Sequence, residues 1–399
     1  MPERSLTAIR SCPVACPLPL NGAAGDVLNL MASVEVAAGG PACGPAPLAE
    51  LTASTLAAKR NLVLLIIDGL GLDYLTRASP AGPLASNLLG GLRSVCPATT
   101  AAAVTTFFTG LSPASHGLLG WFTPFEARDE VVLPLLAQAR GGRALPVDEV
   151  AALYRSPPLA ARLTRDCHVV TARNLAGSAY SRHHAGPAQR HGYRSLGGLF
   201  GQLERLLRGA GPPRYVHAYW PQLDQLAHEH GIGDRRTREH LRQIEAQLGQ
   251  FLKTIAGSDT LLLVTSDHGF VDIAPAQRLL LNDQPQLLQR LRLPLAGESR
   301  LAFVHAKAGQ RAALGAGLAD YLGERGTVYD GGRFIEAGFF GPGEPHPALA
   351  LRVGDFVVAM ADGWTLRDRL PGERPFSPVG VHGGLSDAER WVPLAVFEA

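Results

Sequence analysis

Lysine is nearly missing from this chain: Lys59, Lys253 and Lys307 are the only three, so its basic character rests on arginine. There is no run of basic residues and the formal net charge is +2, which argues against a broad electrostatic face for nucleic acid. Cysteine is scarce as well. Cys12, Cys16, Cys43, Cys96 and Cys167 are odd in number and irregularly spaced, which excludes a disulfide framework and reads as free thiols in a reducing compartment. No apolar run reaches the ~18 residues of a membrane span. The opening MPERSLTAIRSCPVACPLPL carries Glu3, Arg4 and Arg10 without an uninterrupted apolar segment, so it reads poorly as a secretory signal. A cytoplasmic protein is expected, without a membrane partner.

What the chain has is a core. Hydrophobic residues are 46% against 18% charged, a balance that excludes disorder. NLVLLIIDGLG (61–71) and TLLLVTSDHG (260–269) are continuous apolar runs that end in acids and glycine, as expected of parallel strands buried on both faces. LRSVC (92–96), RYVHAYW (214–220) and DFVVAMA (355–361) read as further strands. Residues 195–211 read as a helix. Residues 235–255 form a strongly amphipathic one, with Leu241, Ile244, Leu248, Phe251, Leu252 and Ile255 on one face. Alternating strands and helices predict an α/β fold with a mostly parallel sheet covered on both sides. Residues 1–58 read as an N-terminal arm packing on the core, and 59–399 as a single domain with insertions at about 125–190 and 275–350.

In such sheets functional groups gather beyond the carboxyl ends of the strands. Asp68, Asp224, Asp267 and His268 fall there, His228 lies one helical turn after Asp224, and His382 sits among glycines in GVHGG. Three carboxylates and three imidazoles are enough for two cations, which can clamp the entering and leaving oxygens of a displacement at phosphorus. CPATTAAAVTTFFTGL (96–111) leaves two readings open. Its threonines bond back to the preceding turn of a small-residue helix, or Thr99 or Thr100 is a nucleophile at the helix start.

Five blocks in one order, IIDGLG, TTAAAVTTFFTGLSPASHG, LDQLAH, TSDHG and GVHGG, resemble the alkaline phosphatase superfamily, and within it the type I phosphodiesterase/nucleotide pyrophosphatase family. The resemblance implies a three-layer αβα sandwich with cap insertions. It implies that Asp68, Thr100, Asp267 and His268 hold one metal, and Asp224, His228 and His382 a second that faces the leaving group. Thr100 is taken as the nucleophile because it lies nine residues before Thr109 of Thr-Gly-Leu; Thr99 is the next choice. His116 matches a family position and is read as structural. Where the family has Phe-Pro-Asn, this chain has Ala101, Ala102 and Ala103, so the Asn that holds a phosphoryl oxygen is missing.

The expected activity is hydrolysis of a small phosphate ester, such as a nucleotide, through a phospho-threonine intermediate with two divalent ions. Zinc is the first expectation, with manganese or iron as alternatives. The same metal set would serve a phosphomonoesterase, a phosphonate hydrolase or a phosphoglycerate-mutase-like phosphotransferase. A catalytically idle, metal-stabilised phospho-ligand binder is the non-enzyme alternative. NLAGSAYSRHHAGPAQRHGYRS (174–195) reads either as a cap over the substrate or as a solvated loop.

Overall fold

The computed structural model describes residues 23–41, 44–208, 211–373 and 377–399. Eight strands form the central sheet: β1 (Ala23–Asp26), β2 (Asn61–Ile67), β3 (Leu88–Arg93), β4 (Asp166–Ala172), β5 (Gln189–Tyr193), β6 (Arg214–Trp220), β7 (Thr260–Thr265) and β8 (Trp391–Glu398). Their order is β1-β3-β8-β7-β2-β6-β4-β5. Every neighbouring pair is parallel except the two made by β8, which runs against both β3 and β7.

The uninterrupted apolar runs now have a physical reason. Alternate side chains of a strand point to opposite faces. In β2, Leu62, Leu64 and Ile66 enter one core, with α1 (Val27–Ala37) and α2 (Thr100–Thr109). Val63, Leu65 and Ile67 enter the other, with α3 (Leu196–Arg208) and α5 (Arg235–Thr254). β7 divides in the same way, Leu261 and Leu263 to the first core and Leu262 and Val264 to the second. Leu241, Ile244, Leu248 and Phe251 are the buried stripe of α5. The layers are therefore helix, sheet, helix.

A second, antiparallel sheet (Ala296–Gly297, Leu301–Val304, Phe356–Met360, Gly326–Asp330, in that order) has an apolar cluster of its own on one face. DFVVAMA is thus a strand of this sheet and not of the central one. The segment read as an insertion at 125–190 splits. Its later part supplies β4, which is central-sheet structure. Of the N-terminal arm, residues 1–22 lie outside the described residues, as do Cys12, Cys16 and Cys43; β1 is itself an edge strand of the sheet and pairs with β3. Cys96 and Cys167 form no disulfide, and no described helix is long and apolar enough to cross a membrane.

His217 on β6 is wholly enclosed, stacked on Phe108 at 4.2 Å, and neither ring nitrogen has a hydrogen-bond partner among the described residues. Burial pushes its pKa down to about 3. The unfolded chain protonates this ring below 6.5, whereas the folded one stays neutral until about 3. Stability is therefore lost as pH falls through that window, by about 1.4 kcal/mol per unit for this ring. His217→Phe should flatten the decline between pH 6.5 and 5 in urea unfolding. An unchanged slope would remove His217 from the account of acid lability.

Candidate metal centre and nucleophile

Four strand ends build the site. Asp68 follows β2, and Gly69 turns the chain behind it with φ +77°, a conformation L side chains rarely adopt. Ser266, Asp267 and His268 follow β7. Pro221 after β6 opens α4 (Gln222–His230), whose i, i+4 spacing puts Asp224 and His228 on one face. β3 leads through Ser94–Ala98 to α2, where Thr100 is the first helical residue and Thr99 the N-cap. His382 arrives from Gly380–Val381, which pairs with Val271–Asp272 just beyond His268.

The structure brings all six predicted ligands and Thr100 together. The His268 Nε2 atom lies 3.2 Å from Asp68 Oδ1, 3.4 Å from Asp267 Oδ2 and 3.2 Å from Thr100 Oγ1. Ligand atoms of Asp68, Asp267 and His268 all fall within 4.8 Å of one another, and so do those of Asp224, His268 and His382. His228 completes the second group, its Nε2 3.4 Å from Asp224 Oδ1. The rings of His268 and His382 stack at 3.6 Å.

Hydrogen bonds aim these atoms inward. His268 Nδ1 donates to the Gly269 carbonyl at 3.1 Å and His228 Nδ1 to the Gly380 carbonyl at 2.8 Å, which leaves each Nε2 with a lone pair toward the site. Asp267 Oδ1 accepts from the N–H groups of Gly69 and His268, both at 3.1 Å, so Oδ2 faces the cluster. Asp68 Oδ2 accepts from the Tyr219 hydroxyl, which turns Oδ1 the same way. Asp68 Oδ1, Asp224 Oδ1 and Asp267 Oδ2 are enclosed, without a hydrogen-bond partner among the described residues. Three orphaned carboxylate oxygens facing imidazole lone pairs are an unfavourable group unless a cation joins them. The donor set fits divalent metal.

The electrostatics agree. Burial raises the carboxyl pKa of Asp68 to about 6. Burial, reinforced by the Asp68 charge, raises that of Asp267 to about 7, and that of Asp224 goes well above its ordinary range. Burial also holds His228 down to about 4 and His382 well below the usual value, and neutral imidazole is the form that binds metal.

The two threonines part company. Thr100 is half-buried with its hydroxyl in the cluster, whereas Thr99 is buried and donates to Glu298 Oε1 at 2.6 Å. Deeper in α2, Thr105 and Thr109 do bond back to carbonyls one turn earlier, at 2.6 and 2.7 Å. The back-bonding reading thus holds for Thr105 and Thr109, while the Thr100 hydroxyl faces the cluster. His116 is structural in its contacts. It accepts from the Leu118 N–H at 3.1 Å and meets Thr106 Oγ1 at 3.2 Å, away from the cluster. Ala103 is fully buried within α2 and offers the site no side chain.

Sequence reasoning missed three supports. Tyr219 holds Asp68, and its signal was its place one residue before the end of β6, level with the strand end that carries Asp68. Glu298 accepts from Thr99 and from the Trp121 N–H at 2.7 Å. Glu389 pairs with buried Arg300 at 2.9 Å and accepts the Gly384 N–H at 2.8 Å, fixing the His382 loop. Tyr219→Phe should weaken metal affinity about 10–100-fold, the usual effect of losing such a support. Titration of the metal-free variant with zinc would check this; unchanged affinity would make the bond incidental.

The stretch 174–195 is neither cap nor solvated loop. Tyr180 and His184 are buried beside α2, where Tyr180 meets the Thr105 hydroxyl at 2.8 Å, and residues 189–193 form β5. The cavity beside the metal cluster, about 690 Å³, is instead lined by Thr99, Thr100, Asp224, His228 and His382 together with parts of 121–142, 273–302 and 365–381.

A mostly parallel αβα sandwich that gathers carboxylates and imidazoles around a helix-terminal hydroxyl defines a metal-dependent hydrolase of phosphoric esters. The chain belongs to the type I phosphodiesterase / nucleotide pyrophosphatase family, whose sequence model matches residues 62–385. Among solved structures, it is similar to an inactive form of murine ectonucleotide pyrophosphatase / phosphodiesterase 5 in complex with AMP. The TM-score is 0.65 at 17% identity, over 84% of this chain and 87% of that one. The human counterpart gives 0.64 at 16% identity, with the same shares of each chain. Phosphonoacetate hydrolase from Sinorhizobium meliloti, in complex with phosphonoformate, gives 0.62 at 17%, over 85% of this chain and 90% of that one. Among curated proteins no match to the sequence was found.

Proposed function

We propose that this enzyme is a two-cation phosphodiesterase or nucleotide pyrophosphatase whose nucleophile is Thr100. The observation that carries the reading is the set of orphaned carboxylate oxygens and inward imidazole nitrogens around that hydroxyl. Asp68, Asp267 and His268, with Thr100, would hold one cation; Asp224, His228 and His382 would hold the other. When bound, the pair supplies positive charge to the entering and leaving oxygens of an in-line displacement. Mixed imidazole and carboxylate donors favour zinc, with manganese or iron where those prevail.

Thr100 Oγ1 bonds to phosphorus as its proton departs to water. The bond to the leaving-group oxygen breaks and its electron pair stays on that oxygen. Water then attacks the phospho-threonine and Thr100 Oγ1 leaves, so two inversions give net retention. With Ala103 supplying no amide, the first N–H groups of α2, which Thr99 does not cap with its side chain, would be the protein donors for a phosphoryl oxygen. The substrate is a small phosphoric diester or pyrophosphate such as a nucleotide derivative, and the setting a reducing cytoplasm, in keeping with the thiols of Cys96 and Cys167.

Elemental analysis of purified protein should give close to two transition-metal equivalents per chain. Chelation should abolish turnover, and added zinc should restore it. Bis-p-nitrophenyl phosphate should be cleaved faster than p-nitrophenyl phosphate. The reverse preference would make the enzyme a phosphomonoesterase, and metal-independent turnover would overturn the reading.

A further inference from the structure

A second cavity, of about 670 Å³, opens beyond the carboxyl ends of β4, β5 and β6. Strand pairing sets its floor. Ala172 is opposite Tyr193, and the register of β4 with β6, Val170 opposite Ala218, puts Trp220 at the same level. The next residues, Arg173 and Arg194, therefore leave adjacent parallel strands side by side, and such strands are about 4.8 Å apart. Arg173 crosses close over β5, where Gly192 makes room: a Cβ there would lie 3.1 Å from the Arg173 Cα. Both arginines line the cavity, together with Asn174 and with Gln222 and Gln225 of α4.

Nothing on this wall cancels the charge. No carboxylate lines the cavity. Arg173 and Arg194 are exposed, and among the described residues neither guanidinium has an ion pair or a hydrogen-bond partner. In the metal-site cavity, by comparison, Arg140 is neutralised by Asp368 at 2.8 Å and Glu373 at 2.7 Å. The aromatic floor is fixed and its polar atoms are spent. The Tyr193 hydroxyl donates to the Tyr219 carbonyl at 2.5 Å, and Trp220 Nε1 donates to His240 Nε2 at 2.9 Å. The two rings stack with centroids 5.5 Å apart. Gln225 donates to Glu229 at 3.0 Å, outside the lining, which leaves the amides of Asn174 and Gln222 for a ligand.

We propose that this cavity is a second ligand site, separate from the metal centre, which holds a phosphoryl group, free or borne by a small organic molecule, between Arg173 and Arg194. Two guanidiniums match the charge and the oxygens of a phosphate dianion, where one would suffice for a carboxylate. The volume is much larger than a phosphate and falls in the range of small-molecule sites. With stacked rings as its floor, it suits a phosphate carried on a flat ring system, as in a nucleoside monophosphate. The site uses neither Thr100 nor the cations, so it does not rest on the function proposed above.

The test titrates AMP, inorganic phosphate and adenosine into metal-loaded Thr100→Ala protein by calorimetry, beside the same protein carrying Arg173→Gln and Arg194→Gln. Matching melting temperatures would show that both are folded. Loss of the two guanidiniums should weaken one AMP site about 100-fold and leave any binding at the metal centre unchanged. If the double variant does not fold, Arg194→Gln alone should weaken that site about tenfold. Inorganic phosphate should compete for the site and adenosine should not. AMP binding more tightly than inorganic phosphate would identify an organic phosphate as the ligand, and equal affinity would identify free phosphate on the same arginines. Identical isotherms with and without the arginines, or adenosine binding as well as AMP, would overturn the site. An enzyme that turns over no phosphodiester would defeat the proposed activity and leave these binding results intact.

Discussion

Thr100→Ala is expected to lower kcat by about four orders of magnitude or more, with metal content and melting temperature close to those of the parent. The hydroxyl lies at the first residue of α2, 3.2 Å from His268 Nε2, and no other hydroxyl of the helix enters the cluster. Thr100→Ser should recover a substantial part of the rate, because it keeps the nucleophilic atom. Thr99→Ala should cost far less, since its hydroxyl is committed to Glu298. Acid-quenched enzyme mixed with bis-p-nitrophenyl phosphate should carry an arylphosphoryl adduct on Thr100, located by mass spectrometry. An adduct on Thr99, or full turnover by Thr100→Ala, would reassign the nucleophile.

Asp224→Ala has the second-largest expected effect. Its Oδ1 is the point on which three imidazoles converge: His228 Nε2 at 3.4 Å, His382 Nε2 at 3.7 Å and His268 Nε2 at 3.9 Å. Removing this carboxylate leaves the second group with imidazoles alone, so one cation equivalent should be lost and activity should fall about 10³-fold. Metal analysis beside kinetics distinguishes this from general damage. A variant that keeps both equivalents and most of its rate would remove Asp224 from the ligand set. Asp224→Asn keeps the shape and one oxygen donor, and should lie between the parent and Ala.

How much of this was legible follows from how far each signal reaches along the chain. β2 and β7 could be read because burial on both faces makes a strand apolar throughout, and α5 because one stripe of a long helix faces the core. The metal candidates stood out because acids and histidines directly after such strands have no packing role. β5 could not be read. Its sequence, Gln189–Tyr193, is an edge strand with polar, mostly exposed side chains, and nothing in its pattern separates it from a loop. Tyr180 and His184 misled for the opposite reason. In sequence they look polar, but their rings fill space beside α2 and their polar atoms are satisfied by Thr105 and by the Tyr180 carbonyl. Glu298 meets Thr99 across 199 positions and Tyr219 meets Asp68 across 151, so both contacts exist only once the second sheet and β6 are in place.

Substrate choice was the least legible part. The five blocks place the chemistry, but the cavity wall comes from a ribbon whose strands are far apart in sequence, Arg278–Leu280 and Thr365–Arg367. Neither strand is long or apolar enough to announce itself. Ala103 lies inside the packed face of α2.

Anomalous diffraction at the zinc edge, from crystals of the zinc-loaded protein, addresses the metal centre itself. Two peaks ~3.5–4 Å apart are expected, one within bonding distance of Asp68, Asp267 and His268 and the other of Asp224, His228 and His382, with the Thr100 hydroxyl against the first. A single peak, or cations bound away from these six side chains, would contradict the account.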